Sequence, residues 1–233
     1  MKYGQFCPIA KATEILGEKW TILIVRELIM GARRFNELQR GLGDISPALL
    51  TSRLKSLEAQ GMIARRRGSG QKAYEYHPTE ACLALQPILV SLGEWGILWA
   101  EKTTLDDYLD AEFLMLYLER SIDPEKIIGD ESVIQFRFTD LSEQQVFWLL
   151  VQGADVDLCL KDPGRDVNVY FTSTIKTMCD VWMGERTYRD ALQSGDLMMQ
   201  GEPALTRNVR DWLRPSMFEQ SPRLPVRASG STA

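Results

Sequence analysis

The sequence predicts a multidomain chain, with a mainly α-helical N-terminal domain and an α+β C-terminal domain built on a mainly antiparallel sheet. Apolar residues recur at helical spacing through most of the first hundred residues, and alternate with period two after residue 130. Net charge changes sign, from +4 in residues 1–102 (14 Lys+Arg, 10 Asp+Glu) to −9 in residues 103–233 (13 and 22). We therefore predict domains at 1–102 and 103–213, followed by a disordered tail at 214–233.

Length and composition are those of an ordinary globular protein. The 233 residues are 45% apolar and 25% charged. No run of 18 apolar residues occurs, so no membrane span is predicted. The N-terminus has no apolar stretch followed by a small-residue cleavage site, which predicts a cytoplasmic protein.

The cysteine and histidine content argues against most catalytic and metal-binding classes. The four cysteines form no CxxC pair, and His77 is the only histidine in the sequence. A structural zinc site needs about four N or S ligands, usually in close pairs. A Ser-His-Asp hydrolase needs a histidine as its base. We therefore predict no metal, no cofactor and no catalytic residue, and a protein that is not an enzyme.

Three helices with their own end signals are predicted in the first part of the chain. The first begins at Cys7-Pro8 and ends before Gly17. The second runs from Trp20 to about Met30 and is apolar on most sides, which predicts a central position. A short third helix begins near Arg33 and leads into a glycine-containing turn.

A fourth helix, between Ser46 and Gly61, has the clearest end signals. Ser46 is a typical N-cap, Pro47 suits the first helical position, and Gly61 suits the left-handed residue that ends a helix. Three leucines at helical spacing form the inner face. The outer face is small and hydroxylic with one cation, and consists of Ala48, Thr51, Ser52, Lys55 and Ala59. An ordinary amphipathic helix also has a polar outer face, so this helix alone leaves both interpretations open.

A basic hairpin follows this helix directly. Two short strand-like runs flank a Gly-Ser-Gly turn and carry three arginines and a lysine. Residues 33–72 contain nine basic and three acidic residues, although the whole chain has a net charge of −5. A helix with a small polar face followed by a basic hairpin is typical of a winged helix-turn-helix. In that fold the helix enters the major groove and the hairpin reaches the DNA backbone or minor groove.

We predict that these basic and hydroxyl side chains contact double-stranded DNA. Thr51, Ser52 and Lys55 are the candidates for base and phosphate contacts. Arg53 lies nearer the core edge, and we expect it to clamp a phosphate or a neighbouring helix. The hairpin arginines are expected to contact phosphates, and a solvated charge run is the alternative. The predicted DNA-binding residues are Arg34, Ser46, Thr51, Ser52, Arg53, Lys55, Arg65, Arg66, Arg67 and Lys72.

Several ordered motifs between residues 5 and 100 resemble those of one family. They are Cys7-Pro8-Ile9, Gly17-Glu18-Lys19-Trp20-Thr21, Arg34-Phe35-Asn36-Glu37-Leu38, Ile45-Ser46, Leu50-Thr51-Ser52-Arg53-Leu54 and Leu57-Glu58-Ala59-Gln60-Gly61-Met62-Ile63. Together they resemble the HxlR-type, MarR-like winged-helix transcriptional regulators. The resemblance implies a homodimer that binds pseudo-palindromic operator DNA.

A long apolar helix is predicted from Thr79 to about Lys102. Its stripe includes Trp95 and Trp99, and Pro87 is expected to kink it. Dimer contact is favoured because two-fold operators need two-fold proteins. The resemblance also implies that this helix and the N-terminal one form the dimerisation surface. The alternative is a helix that only completes the core.

The acidic half of the chain is predicted to combine strands and helices. Strands are predicted at 132–138, 145–151, 155–160, 168–172 and 196–200, and helices at 110–120, 173–183, 187–193 and 205–213. The segment 108–213 resembles the sterol-carrier-protein-like lipid-binding domain. The resemblance is carried by the order of its strands and helices, by Trp182-Met183-Gly184-Glu185 and by residues 191–205. The resemblance implies an apolar tunnel for a fatty or sterol-like hydrophobic ligand.

Aromatic and methionine side chains of this domain are the candidates for lining a pocket. Mobile methionines beside aromatic rings suit an apolar ligand, although each of these residues also suits a plain core. The candidates are Phe136, Phe138, Trp148, Phe171, Met178, Trp182 and Met198.

Cys7 supports an alternative interpretation. It lies near a helix N-terminus with Lys11 one turn downstream, and both features favour a reactive thiolate. Some members of the resembling family sense oxidants or electrophiles with an N-terminal cysteine, whereas a small buried residue is the plainer explanation.

The sequence as a whole predicts a DNA-binding transcriptional regulator modulated by a hydrophobic ligand. The alternatives are a thiol-based sensor, a C-terminal domain that only dimerises, and a lipid carrier whose winged helix does not bind DNA.

Overall fold

The computed structural model describes residues 2–67, 74–100, 109–127 and 129–221. Backbone contacts divide the chain into two compact units, Met1–Leu92 and Gly93–Ala233. The boundary predicted at residue 103 lies in a segment outside the described residues. The two units are described separately below.

The N-terminal unit contains the four helices expected before the hairpin. They are α1 (Pro8–Leu16), α2 (Thr21–Ile29), α3 (Phe35–Leu42) and α4 (Pro47–Ala59). The central position predicted for α2 agrees with the complete burial of Ile24, Val25 and Leu28. Trp20, which precedes α2, has a φ of 79°, in the left-handed region that favours glycine.

α3 and α4 form a helix-turn-helix. Gly43, with a φ of 62°, turns the chain between them. The Ser46 hydroxyl accepts a hydrogen bond from the Leu49 N–H at 3.3 Å, so Ser46 caps α4 as its sequence position predicts. The three leucines of α4 face the core and are at most 1% exposed. The opposite face of the helix is thereby directed outward.

A two-stranded wing follows α4. β1 (Ile63–Arg67) and β2 (Tyr74–Pro78) pair antiparallel. The wing is fixed to the segment before α3, because the Tyr76 N–H donates to the Arg33 carbonyl at 2.7 Å. Residues 68–73, with the predicted DNA contact Lys72, lie outside the described residues.

The predicted long helix at 79–102 is interrupted near its start. It consists of α5 (Glu80–Leu83) and α6 (Gln86–Trp99), joined by a turn at Ala84 and Leu85. Pro87 has no N–H to donate to the Leu83 carbonyl, which explains a break at this place rather than a continuous helix.

α6 buries none of its residues, although most of them are apolar. Ile88, Trp95 and Trp99 are 57%, 59% and 65% exposed. By length and composition alone, Glu80–Trp99 could cross a membrane, with a mean hydropathy of 1.5 in its most apolar window. A single helix of this kind is weak evidence for a membrane protein, since a helix covered by another protein surface has the same composition.

The C-terminal unit is an α+β structure, as predicted. Its first elements are α7 (Ala111–Ser121), β3 (Glu131–Phe138), β4 (Val146–Gln152), β5 (Asp155–Cys159) and β6 (Val169–Ser173). The remaining ones are α8 (Ile175–Met183), α9 (Tyr188–Ser194), β7 (Leu197–Gly201), α10 (Pro203–Thr206) and α11 (Val209–Trp212). The single helix predicted at 205–213 is therefore two short helices with a turn between them.

Its five-stranded sheet is mixed. The strand order is β5-β4-β3-β6-β7. Three of the four pairings are antiparallel, whereas β3 and β6 pair in parallel. A parallel neighbour requires a long crossover, and the β4–β5 hairpin with the connection after it supplies that length. Most of the strand pairings are antiparallel, as predicted, but the prediction did not include the central parallel pairing of β3 with β6.

Helices cover one face of this sheet. Phe136, Phe147 and Phe171 point into the core beneath α8 and α11 and are at most 1% exposed. Their strand neighbours point the other way, and Arg137 and Tyr170 are exposed there. The C-terminal unit thus has one packed face and one largely open face, on which Val133 is nevertheless 1% exposed.

The segment 214–221 is ordered, in contrast to the disordered tail predicted at 214–233. The Arg214 N–H donates to the Ser121 carbonyl at 2.9 Å, and the Ser216 N–H donates to the Trp182 carbonyl at 2.8 Å. Composition predicted disorder, but backbone hydrogen bonds to α7 and α8 hold these residues. Residues 222–233 lie outside the described residues.

Candidate nucleic-acid interface

The outward face of α4 has the small, hydroxylic character that the sequence predicts. Thr51, Ser52 and Lys55 are all exposed. The Thr51 hydroxyl donates to the Pro47 carbonyl at 2.8 Å, which leaves its oxygen as an acceptor toward solvent. The ammonium group of Lys55 makes no ion pair with another described residue. The face therefore offers an uncommitted cation among short side chains.

Arg53 points away from this face. Its Nη1 lies 2.5 Å from Glu18 Oε2, and its Nε donates to the Lys19 carbonyl at 3.0 Å. Of the two roles expected for Arg53, the structure supports the clamp on a neighbouring element rather than a DNA contact. Arg53 thus fastens α4 to the turn that contains the left-handed Trp20.

Arg34 and Ser46 lie at the starts of the two helices of the motif. Arg34 is half-exposed and 3.9 Å from carboxylate oxygens of both Glu37 and Glu75. Its guanidinium can approach a phosphate only in competition with these two acids. Ser46 is exposed, but its hydroxyl already accepts the capping hydrogen bond of α4.

The wing separates its three arginines onto two faces. The guanidinium carbons of Arg65 and Arg67 lie 3.6 and 6.0 Å from the centre of the Tyr74 ring. Arg66 points to the other face, opposite Glu75. All three arginines are exposed. Stacking on Tyr74 limits the conformations of Arg65 and Arg67 and keeps their charge at the surface.

A buried ion pair that the sequence analysis missed braces the turn of the motif. The side chain of Glu27 is completely buried, and its Oε1 lies 2.8 Å from Arg26 Nη2. The same guanidinium donates to the Gly41 carbonyl at 3.1 Å. Glycine suits position 41, because a Cβ there would clash with the buried Glu27 carboxylate. The available signal was the adjacent Arg26-Glu27 pair inside the otherwise largely apolar α2.

Comparisons with known proteins cover this N-terminal region. A model of the HxlR-like helix-turn-helix family matches residues 15–104, which include α2 to α6 and the wing. The chain is 35% identical over 108 residues to YvaP, an uncharacterised HTH-type transcriptional regulator of Bacillus subtilis. That match covers 46% of this chain and all of YvaP. The chain belongs to the HxlR-like helix-turn-helix family.

Two further relatives of this HxlR-like protein are also transcriptional regulators. Mb3122 of Mycobacterium bovis, named an uncharacterised HTH-type regulator, is 42% identical over 89 residues, which are 38% of this chain and 56% of Mb3122. The reduced form of YodB from Bacillus subtilis is 30% identical with a TM-score of 0.37, and the match covers 42% of this chain and 97% of YodB. On the family match and the likeness to YvaP, the HxlR-like protein is a DNA-binding transcriptional regulator of the helix-turn-helix type.

The family match ends at residue 104, so the likeness of the C-terminal unit to sterol-carrier domains stays a prediction. Four of the seven predicted ligand residues, Phe136, Phe138, Phe171 and Met178, are at most 1% exposed. Phe136 and Phe171 stack with their ring centres 4.7 Å apart. These four residues pack against one another and their neighbours as core.

The other three predicted ligand residues are elsewhere. Trp148 and Met198 lie on the open face of the sheet, because their strand neighbours point into the core. The indole N–H of Trp182 donates to the Ser121 hydroxyl at 2.9 Å, and its ring stacks on Tyr117. The seven residues are thus divided between the core and the open face, and the structure does not bring them to one cavity.

Cys7 is the N-terminal flanking residue of α1 and is partly exposed. The Lys11 ammonium group, expected to favour its thiolate, lies 3.3 Å from Glu14 Oε2. Lys11 is therefore paired with a carboxylate on its own helix, which weakens one of the two features cited for a reactive Cys7.

Proposed function

We propose that this regulator binds two-fold operator DNA as a homodimer, with α4 in the major groove and the wing on the backbone. The observation that carries the proposal is the exposed face of α4 with Lys55, next to a wing with three exposed arginines. Short side chains let the helix approach base edges closely, and cations neutralise phosphates. Two copies of α4 would enter successive major grooves about 34 Å apart.

The DNA contacts are tested with duplexes selected from a random-sequence pool by the purified protein. We expect Lys55→Ala and Arg66→Ala each to weaken binding of the selected duplex. For Arg66→Ala the salt dependence should also fall by about one counterion, since a phosphate contact is lost. Arg137→Ala, an exposed arginine of β3, is the matched control and should bind normally. Unchanged affinity of both test variants would reject this placement.

The homodimer is proposed from exposed apolar side chains of α6, of α1 and of the segment that leads into α1. Phe6 and Ile9 are 100% and 76% exposed, and the α6 tryptophans are more than half exposed. Large apolar side chains that are this exposed mark an interaction site. A second copy is the favoured cover because a two-fold operator requires a two-fold protein.

Sedimentation analysis tests this interface. The wild-type protein should be a dimer, and Trp95→Glu should shift it toward monomer and weaken operator binding with it. Tyr170→Glu, which changes an equally aromatic exposed residue on the sheet, is the control and should stay dimeric. A wild-type monomer at micromolar concentration, or a Trp95→Glu dimer, would contradict the proposal. Association of the wild type with neutral lipid vesicles would instead favour a membrane as the cover.

We further propose that the C-terminal unit modulates DNA binding in response to a hydrophobic ligand, in the cytoplasm. Support comes from its self-contained fold and its acidic charge, which disfavours a second DNA contact. The alternative signal is oxidation of Cys7. A Cys7→Ser variant that keeps the wild-type loss of operator binding under diamide would exclude that alternative.

A further inference from the structure

A groove of about 740 Å³ lies on the surface of the C-terminal unit, between α9 and the α10–α11 segment. This volume is in the range of small-molecule sites, about 300–1,000 Å³. The groove lies outside the aromatic core and shares none of the seven residues that the sequence predicted for a ligand. It therefore offers space that the packed core does not.

The groove has an apolar part. Leu192 of α9, Met199 of β7 and Val209 of α11 line it. Met199 is partly buried against the core, whereas Leu192 is 37% exposed although it is a large apolar side chain. A ligand with an apolar portion would cover Leu192 and replace its contact with water.

The groove also carries two uncommitted cations. Arg189 and Arg207 line it and are exposed, and neither side chain makes a hydrogen bond or ion pair with another described residue. The third lining arginine, Arg210, is different, because its Nη2 lies 2.5 Å from Glu219 Oε1. Two guanidinium groups thus remain free to bind an anion in a part of the chain that is otherwise acidic.

The neutral polar groups of the groove are mostly engaged with the protein. The Thr187 hydroxyl donates to Asp190 Oδ2 at 2.7 Å, and the Thr206 hydroxyl donates to the Glu202 carbonyl at 3.1 Å. Arg189 and Arg207 are consequently the principal donors that face a ligand. Two exposed carboxylates, those of Asp190 and Asp211, also line the groove and limit it to ligands of low negative charge.

Tyr188 lines the groove and packs partly against the core. Burial raises the pKa of its phenol, and the Arg210 charge only partly opposes that effect. The phenol therefore stays neutral over the physiological pH range and adds no negative charge to the groove.

We propose that this groove binds an amphipathic organic monocarboxylate. Arg189 and Arg207 hold the carboxylate, and Leu192, Met199 and Val209 contact the apolar portion. This site would supply the ligand for the control of DNA binding proposed above. Its regulatory role rests on that proposed function, whereas its binding of a carboxylate does not. It is a surface site that requires a charged head group, and so differs from the apolar tunnel that the sequence predicts.

Isothermal titration of the full-length protein with sodium octanoate tests the site. Octylammonium and 1-octanol are the matched probes, because they have the same chain and a different head group. We expect octanoate to bind and the other two to bind at least ten-fold more weakly. Arg189→Ala/Arg207→Ala should weaken octanoate binding by about ten-fold or more, since two charge-assisted hydrogen bonds are lost. Arg137→Ala/Arg214→Ala removes the same charge outside the groove and should bind as the wild type does.

Two results would overturn the site. One is the absence of octanoate binding to the wild type at millimolar concentration, and the other is equal binding to the wild type and the Arg189/Arg207 variant. Because the titration contains no DNA, its result does not depend on whether the ligand changes DNA binding. If octanoate binds in the groove but leaves operator affinity unchanged in a gel shift, the site stands and the proposed control by a ligand fails.

Discussion

The two units differ in how completely they bury their own apolar side chains. In the N-terminal unit, α1 buries no residue, and Phe6, Ile9 and Ile88 are more than half exposed. In the C-terminal unit, the four phenylalanines of the sheet are buried beneath helices, although Trp95 and Trp99 at its start are more than half exposed. On the homodimer proposed above, a second copy covers the exposed side chains of the N-terminal unit, whereas the phenylalanine core is covered within its own unit. The stability of the first should therefore depend on protein concentration.

The largest effect is expected from emptying the C-terminal core. Phe171→Ala should lower the stability of that unit by about 3–5 kcal/mol, because Phe171 is 1% exposed and stacks on Phe136. Hydrogen exchange measured by mass spectrometry should show the loss in residues 109–221. Tyr170→Ala changes the adjacent side chain on the open face and should have a small effect. Equal effects of the two variants would show that the core is not packed as described.

A smaller effect is expected from overfilling the N-terminal core. Gly41→Ala should destabilise the helix-turn-helix by about 1–3 kcal/mol, since the new methyl group displaces the buried Glu27 carboxylate. Asn36→Ala is the control, because it changes an exposed side chain on the same helix and surface substitutions have small effects. The same exchange experiment should show faster exchange in residues 21–59 for the first variant only. Wild-type exchange in Gly41→Ala would contradict the bracing role of Glu27.

The next largest loss of stability is expected from removing an equivalent N-cap residue in each unit. Ser46 accepts from Leu49 N–H at 3.3 Å, and Thr174 accepts from Thr177 N–H at 3.0 Å. Ser46→Ala and Thr174→Ala should each cost about 1 kcal/mol. Each loss should appear in the exchange of its own unit. A loss that spreads equally through both units would argue against the division into an open and a closed region.

The smallest effect is expected at an exposed ion pair of the C-terminal unit. Hydrogen bonds from Arg186 and then from Ser194 hold the pKa of Asp196 below its usual value. The pair therefore stabilises the folded state above the unfolded-state pKa, and this contribution is lost as pH falls through the lowered folded-state pKa. Asp196→Asn should be slightly less stable than the wild type at pH 7, and the difference should vanish in acid. Urea titrations at several pH values provide the measurement, and a pH-independent difference would be the contrary result.

The N-terminal unit could be predicted from the sequence because its signals are local. Ser46, Pro47 and Gly61 mark the ends of α4 by their own backbone preferences, and the three leucines mark its inner face. The Arg53 clamp was expected only as one of two roles, since its partner Glu18 lies far away in sequence. The Glu27–Gly41 contact was missed for the same reason.

The C-terminal unit was predicted only in outline. Alternation identified its strands, but period two cannot reveal that β3 and β6 pair in parallel, because register and direction depend on distant segments. The candidate ligand residues were chosen by residue type. Phe136 and Trp148 share that type and still lie on opposite faces of the sheet, which only the position of each residue within its strand decides.

The attachment of Arg53 to the Glu18–Lys19 turn affects how a genetic screen should be interpreted. In a screen for variants that fail to regulate, substitutions at Arg53 would be recovered together with substitutions at Lys55. Mapped on the sequence, both would be assigned to one DNA-binding cluster. Their origins differ, since one misdirects the helix and the other removes a charge. A second-site change that restores the connection at Glu18 could rescue the Arg53 class and never the Lys55 class.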